Sequence, residues 1–185
     1  GNSIASGGNY NTVVGDEAGT ALTTGDNNVA LGYGAGDSAT TAAQNVLVGA
    51  LAGDSGTTFY NNVAIGYLAL SADTLGSNNV AIGKSALAVQ NFTSSTDAFN
   101  TAVGASAGAA VTTGIQNTLI GGLGGDALTT GNYNTTLGYK ALSSDTAGNR
   151  SVAIGREALL NQNFASSTES YNVAVGYAAG LSVTT

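Results

Sequence analysis

Cysteine, histidine, proline, methionine and tryptophan are all absent from this 185-residue chain. Without cysteine there is no disulfide, no thiolate metal ligand and no thiol nucleophile. Without histidine the commonest general base and metal ligand are both gone, so a catalytic pair would have to be built from lysine and carboxylates. Charge is scarce too: 8% of residues, with 4 bases against 11 acids. The bases Lys84, Lys140, Arg150 and Arg156 form no basic stripe, which argues against nucleic acid as a partner. No apolar run approaches the ~18 residues of a membrane-spanning helix, so no insertion into a bilayer is expected. Nothing in the carboxylate spacing singles out an acid–base pair. The chain is therefore read as not an enzyme, with no metal site and no cofactor.

What is abundant is glycine, at 28 residues, and small or β-branched apolar side chains. They are arranged on a clock. A phrase of asparagine, three residues that are mostly β-formers, then glycine begins at Asn11, Asn28, Asn45, Asn62, Asn79, Asn100, Asn117, Asn134 and Asn172, with Ser151 in the asparagine place once. Seven of the nine intervals are 17 residues and two are 21. A strict short period marks a stacked repeat in which each unit contacts chiefly its neighbours. Helix is excluded by glycine every few residues, at ~1 kcal/mol each in a helix, and by the lack of a sustained 3.6-residue stripe. The expected fold is all-β: a parallel β-solenoid or β-roll of about ten 17-residue coils, two of them enlarged to 21. Residues 1–185 read as one solenoid segment of a longer fibre, with no separate globular domain.

The coil Asn62–Ser77 shows the expected build. Val63-Ala64-Ile65 is a strand ended by Gly66, where the chain bends or packs too closely for a Cβ. Leu68-Ala69-Leu70 reads as a second strand, and Asp73, Thr74 and Gly76 as a turn. The larger column (Val29 and Leu31, Val63 and Ile65, Val80 and Ile82, Val152 and Ile154) is expected inside. The opposite column (Ala30, Leu47, Ala64, Ala81, Ala102, Leu119, Ala153, Ala174) is apolar as well. A strand apolar on both faces is normally covered on both, and long apolar stripes usually mark interfaces. Copies of the chain packed about a common axis are the expected cover. The asparagine column is read as a ladder of amides, each bonding its neighbours along the stack.

Phrases such as Asn62-Val-Ala-Ile-Gly-Tyr-Leu-Ala69, Asn79-Val-Ala-Ile-Gly-Lys-Ser-Ala86 and Ser151-Val-Ala-Ile-Gly-Arg-Glu-Ala158 resemble the head repeats of trimeric autotransporter adhesins. They are similar, too, to repeats in the fibres of tailed phages. The resemblance runs along nearly the whole chain. It implies a parallel β-roll in a homotrimeric fibre, a structural and adhesive role, and an extracellular, cell-surface or virion location. The adhesin heads keep a shorter period, so a larger coil is expected here.

The two long coils are copies of one another. Gln90-Asn-Phe-Thr-Ser-Ser-Thr-Asp-Ala-Phe-Asn100 matches Gln162-Asn-Phe-Ala-Ser-Ser-Thr-Glu-Ser-Tyr-Asn172, 72 residues on, giving a four-coil super-repeat. Loops inserted in solenoids commonly carry binding. Phe92, Thr93, Asp97, Phe164 and Glu169 are the candidate residues for a cell-surface receptor or glycan, the phenylalanines by stacking on a sugar ring. The competing reading has the phenylalanines folded back over the core. The aromatics before the asparagine (Tyr10, Phe99, Tyr133, Tyr171) read as structural. Thr23-Thr24, Thr40-Thr41, Thr57-Thr58, Thr112-Thr113 and Thr129-Thr130 raise ice binding as a remote alternative. Asp37 and Asp54, in one column of adjacent coils, read as a solvated pair rather than a shared cation site.

Overall fold

A computed structural model describes residues 8–185. The strands in chain order are β1 (Thr12–Val14), β2 (Val29–Leu31), β3 (Val46–Val48), β4 (Val63–Ile65), β5 (Gly76–Ser77), β6 (Val80–Ile82), β7 (Thr96–Asp97), β8 (Thr101–Val103), β9 (Thr118–Ile120), β10 (Thr135–Leu137), β11 (Gly148–Asn149), β12 (Val152–Ile154), β13 (Thr168–Glu169) and β14 (Val173–Val175). The three-residue strands form one ten-stranded parallel sheet, β1-β2-β3-β4-β6-β8-β9-β10-β12-β14. Equivalent residues pair: Val63 with Val80, Ala64 with Ala81, Ile65 with Ile82. The fold is an all-β solenoid of about ten coils, as the period required.

The ladder does not stop where the strands stop. Val63 N donates to Asn79 O at 2.8 Å within the sheet, while Leu70 N donates to Ala86 O at 3.0 Å and Ala72 N to Ala88 O at 3.1 Å outside it. Nearly every stretch of the coil therefore has its backbone groups satisfied by the coil next to it.

The stretch read as a second strand is instead a run of turns. Ala69 N donates back to Gly66 O at 3.3 Å, with Leu68 at φ 56° in the third position of that turn. A turn of this type needs a positive φ there. Leu70 follows at φ 53°. A left-handed conformation costs an L-residue ~1–2 kcal/mol, and a two-strand coil would have avoided that. The turns persist because they bring Ala69 and Leu70, both fully buried, into the coil's interior. Short strands do appear outside the main sheet, among the described residues only at the long coils, where β5 pairs with β7 and β11 with β13.

Inside and outside are the reverse of the expected assignment. The core column is Ala30, Leu47, Ala64, Ala81, Ala102, Leu119, Ala153 and Ala174, each 7% exposed or less. The Val/Ile column, with Val63 and Ile65 among it, faces outward and is half-buried or exposed. The reason is width. A second column of fully buried alanines (Ala35, Ala52, Ala69, Ala86, Ala107, Ala141, Ala158) already enters from the turns. Two β-branched side chains per strand have no room beside it.

Core volume is then balanced in pairs of coils. Leu47 from one strand serves two coils, touching the space over Gly36 and Gly53; a Cβ on Gly53 would lie 2.7 Å from its Cδ2. Leu119 does the same for the Gly108 and Gly125 coils. The coils between have Ala64, Ala81, Thr136 and Ala153 in the strand, and there the glycine is replaced by buried Leu70, Leu87, Leu142 and Leu159. The 72-residue super-repeat is thus written into the core as well as the surface. The glycine ending each strand is required for another reason. A Cβ on Gly66 (φ 132°) would sit 2.7 Å from the carbonyl of Gly83 in the next coil.

Candidate functional site

The asparagine column is hydrogen-bonded from Asn11 through Asn134 to the Ser151 N–H, while Asn172, expected to continue it, donates instead to Gln162 Oε1 at 2.8 Å. Asn62 N donates to Asn45 Oδ1 at 3.0 Å, and Asn79 N to Asn62 Oδ1 at 2.9 Å. In the 17-residue coils the amide nitrogen also closes its own coil, as Asn62 Nδ2 does on Gly76 O at 3.0 Å, whereas Asn79 Nδ2 donates back to Asn62 Oδ1 at 3.1 Å. The same pattern links Asn11, Asn28 and Asn45, and Asn100, Asn117 and Asn134. From Asn45 to Asn134 these side chains are fully buried and committed to the fold, so they are not open to a ligand. At Ser151 the column is repaired: its N–H donates to Asn134 Oδ1 at 2.9 Å, and its hydroxyl accepts from Gln162 Nε2 at 2.8 Å.

The long coils are anchored by buried carboxylates that the sequence reading did not single out. Asp73 is fully buried. It accepts from Gly76 N at 2.8 Å and from Gln90 Nε2 at 2.6 Å, while Gln90 Oε1 accepts from Asn100 Nδ2 at 2.8 Å. Burial pushes the Asp73 carboxyl above the usual carboxylate range, against these donors, which pull it down. Asp145 repeats the arrangement with Gly148 N at 3.0 Å, Gln162 Nε2 at 2.6 Å and Phe164 N at 3.0 Å. The signal was available in the sequence: an aspartate and a glutamine 17 residues apart, twice, at a 72-residue offset.

Of the candidate binding residues, Phe92 is 6% exposed, folded over the core, so its ring offers no open face to a sugar. Phe164 is half-buried. Asp97 accepts from Tyr60 Oη and Asn78 Nδ2, both at 2.8 Å, and holds the Tyr60 phenol above its ordinary range through that bond. Glu169 pairs with Arg150 and accepts from Asn149 Nδ2 at 3.3 Å. Both loop acids are thereby tied to preceding coils. Thr93, Ser94 and Ser95, with Ala165, Ser166 and Ser167, are the exposed summit of each long coil.

The threonine doublets are divided in labour. The first hydroxyl bonds to the next coil, Thr23 Oγ1 to Thr40 O at 2.9 Å and Thr129 Oγ1 to Thr146 O at 2.9 Å, while Thr24, Thr41, Thr58, Thr113 and Thr130 are exposed. Asp37 accepts from Thr20, and Asp54 has its Oδ1 buried without a partner. Burial, then the charge of Asp37, raises the Asp54 carboxyl. Among the described residues no three acidic side chains gather as metal ligands, and no helix is long and apolar enough to cross a membrane.

The open surface lies elsewhere. All ten strands of the main sheet turn two side chains outward, and all of these are Val, Ile, Leu or Thr. At its margins stand Tyr10, Phe99, Tyr133 and Tyr171 on one side and Tyr33, Tyr67, Tyr139 and Tyr177 on the other, exposed by 40% or more. The first four, read as structural, are surface residues. Arg150 lies 4.6 Å from the Tyr133 ring and 5.9 Å from Tyr171; Arg156 lies 5.9 Å from Tyr139 and 5.8 Å from Tyr177. No family model, curated protein or solved structure matches the chain.

Proposed function

We propose that this chain is a structural and adhesive segment of a trimeric fibre exposed on a cell surface or virion, without enzymatic activity. The observation that carries the reading is the ten-stranded sheet with an outward face of Val, Ile, Leu and Thr alone. So regular an apolar face on a thin rod is a surface to be covered by like chains. The inter-coil ladder supports the mechanical half of the role. Load across the stack would be shared by backbone bonds and the buried asparagine amides rather than by one weak point.

The sequence resemblance to adhesin heads and phage fibres favours the extracellular setting and the number three. Sedimentation equilibrium on the purified chain tests the assembly. A mass three times that of the chain is expected, and a well-folded monomer at tens of micromolar would overturn it.

A second reading, a receptor- or glycan-binding module, rests on the exposed hydroxyls of Thr93, Ser94 and Ser95 at the summit of the first long coil. Replacing all three with alanine should remove binding to a glycan array or host surface while leaving the circular dichroism unchanged. Retained binding would sink that reading. Ice binding is the remote third, tested by thermal hysteresis.

A further inference from the structure

We infer that Ser151 and Gln162 become joined by an intramolecular ester, with loss of ammonia, inside the second long coil.

Ser151 is the single break in a column otherwise made of asparagine. Across the 72-residue offset the two long coils keep three groups unchanged: Asp73 and Asp145, Gln90 and Gln162, Asn100 and Asn172. Two positions beside them gain a hydroxyl in the second copy, Asn79 becoming Ser151 and Ala98 becoming Ser170. The two hydroxyls arrive together and lie 2.7 Å apart.

Ser151, Gln162 and Asp145 are fully buried. Gln162 Nε2 donates to Ser151 Oγ at 2.8 Å and to Asp145 Oδ2 at 2.6 Å. A carboxylate only accepts, so the amide's orientation is fixed, and its carbonyl oxygen receives Asn172 Nδ2 at 2.8 Å. Ser170 Oγ donates to Asn149 O at 2.6 Å, which leaves its own lone pairs to hold the Ser151 hydroxyl hydrogen. One Ser151 lone pair then remains beyond the Nε2–H bond. A nucleophile, an amide beside it, a donor on the amide oxygen and a carboxylate on the leaving nitrogen are thus gathered in a dry site.

The step balances without oxidant or reductant. Ser151 Oγ adds to Gln162 Cδ, and Asn172 Nδ2 stabilises the negative charge that builds on Oε1. The hydroxyl proton crosses the existing hydrogen bond to Nε2, whose positive charge faces the Asp145 carboxylate. The Cδ–Nε2 bond breaks and the nitrogen leaves as ammonia, so one C–O bond replaces one C–N bond. Groups held together in this way react as an intramolecular pair, and exclusion of water protects the ester once made. In the first long coil Gln90 bonds Asp73 and Asn100, with asparagine in the place of Ser151, and it stays an amide. The second coil folds as the amide too, held by the hydrogen bonds already described. The ester follows, closing residues 151–162 into a covalent ring that ties the insertion to the start of β12.

Denaturing mass spectrometry of the full chain tests this. After prolonged incubation at neutral pH the chain should be lighter than its sequence by one ammonia, and fragmentation should place the link between Ser151 and Gln162. Ser151→Ala should keep its full mass. Ser170→Ala should lose ammonia more slowly, and an unchanged rate would overturn the positioning role given to Ser170. A wild-type chain that retains its full mass overturns the inference, as does an ammonia loss that fragmentation places elsewhere or that persists in Ser151→Ala. Should Ser151→Ala fail to fold, the fragment map of the wild type decides alone.

Discussion

The two long coils share a sequence pattern and an anchor, yet they are not held equally. In the first, Phe92 is buried, and Asp97 bridges Tyr60 and Asn78 of earlier coils. In the second, Phe164 is only half-buried. There Glu169 reaches Arg150, and Ser151 stands where the first copy has Asn79. The first copy relies on apolar burial and neutral hydrogen bonds, the second on a surface ion pair and a hydroxyl network of Ser151, Ser170 and Gln162. An insertion can thus be fixed to a solenoid in two ways, provided a buried carboxylate receives its first residues.

That carboxylate is the place to break the comparison hardest. Asp73→Ala leaves the Gly76 and Leu75 N–H groups and the Gln90 amide without an acceptor in a buried site, and should cost about 4 kcal/mol. Asp145→Ala should cost about 1 kcal/mol less, because Gln162 Nε2 keeps the Ser151 hydroxyl. Urea unfolding of the two variants measures the difference; equal losses would remove the claimed role of Ser151.

Phe92→Ala comes next, at about 3 kcal/mol for a buried ring, with Phe164→Ala at roughly half that for a half-buried one. Limited proteolysis at the Thr93–Ser95 summit should accelerate in step. A smaller effect, about 1–2 kcal/mol, is expected for Asn79→Ser, since the Asn100 N–H then loses its Oδ1 acceptor at 3.1 Å. A shift in melting temperature of the first long coil's variant larger than that of Phe92→Ala would reverse this order.

Acid gives a gentler probe. Burial holds the Asp73 carboxyl above its ordinary value. The folded chain then binds that proton more tightly than the unfolded chain, so this group adds stability as pH falls through the raised pKa and withdraws it as pH rises. Asp73→Asn should therefore flatten the part of the melting temperature's pH dependence that lies above the ordinary carboxylate range. An unaltered profile would mean the hydrogen bonds, not burial, set this group's titration. The smallest effect belongs to Arg150→Ala. It removes a solvent-screened ion pair and two ring contacts, and is best read at low and high salt.

Much of the fold was legible because the phrase repeats. The period fixes parallel pairing of like residues, and the asparagine at a coil corner can only reach its own copies above and below. The strand's two faces were not legible. Val63 and Ile65 are larger than Ala64, and size alone favours placing them inside. The turn that carries Ala69 and Leu70 inward decides otherwise, and its left-handed residues give no compositional warning: serine, glutamate, lysine and leucine all occupy the Leu68 position. Of the candidate site, the long coils were visible as slips in the clock, and Phe92 as a residue with two readings. The Asp73–Gln90 anchor, though its partners lie one period apart like the asparagines, went unread because unlike residues in one column look like variation rather than a pair, and only the fold shows both buried and bonded.

By itself, then, the sequence determined a stacked rod, its parallel register, its amide ladder and its four-coil rhythm, since each follows from spacing along the chain. Tertiary structure decided which apolar column fills the rod and which remains outside. That choice depends on the width left after the turns fold in, a quantity no single coil records.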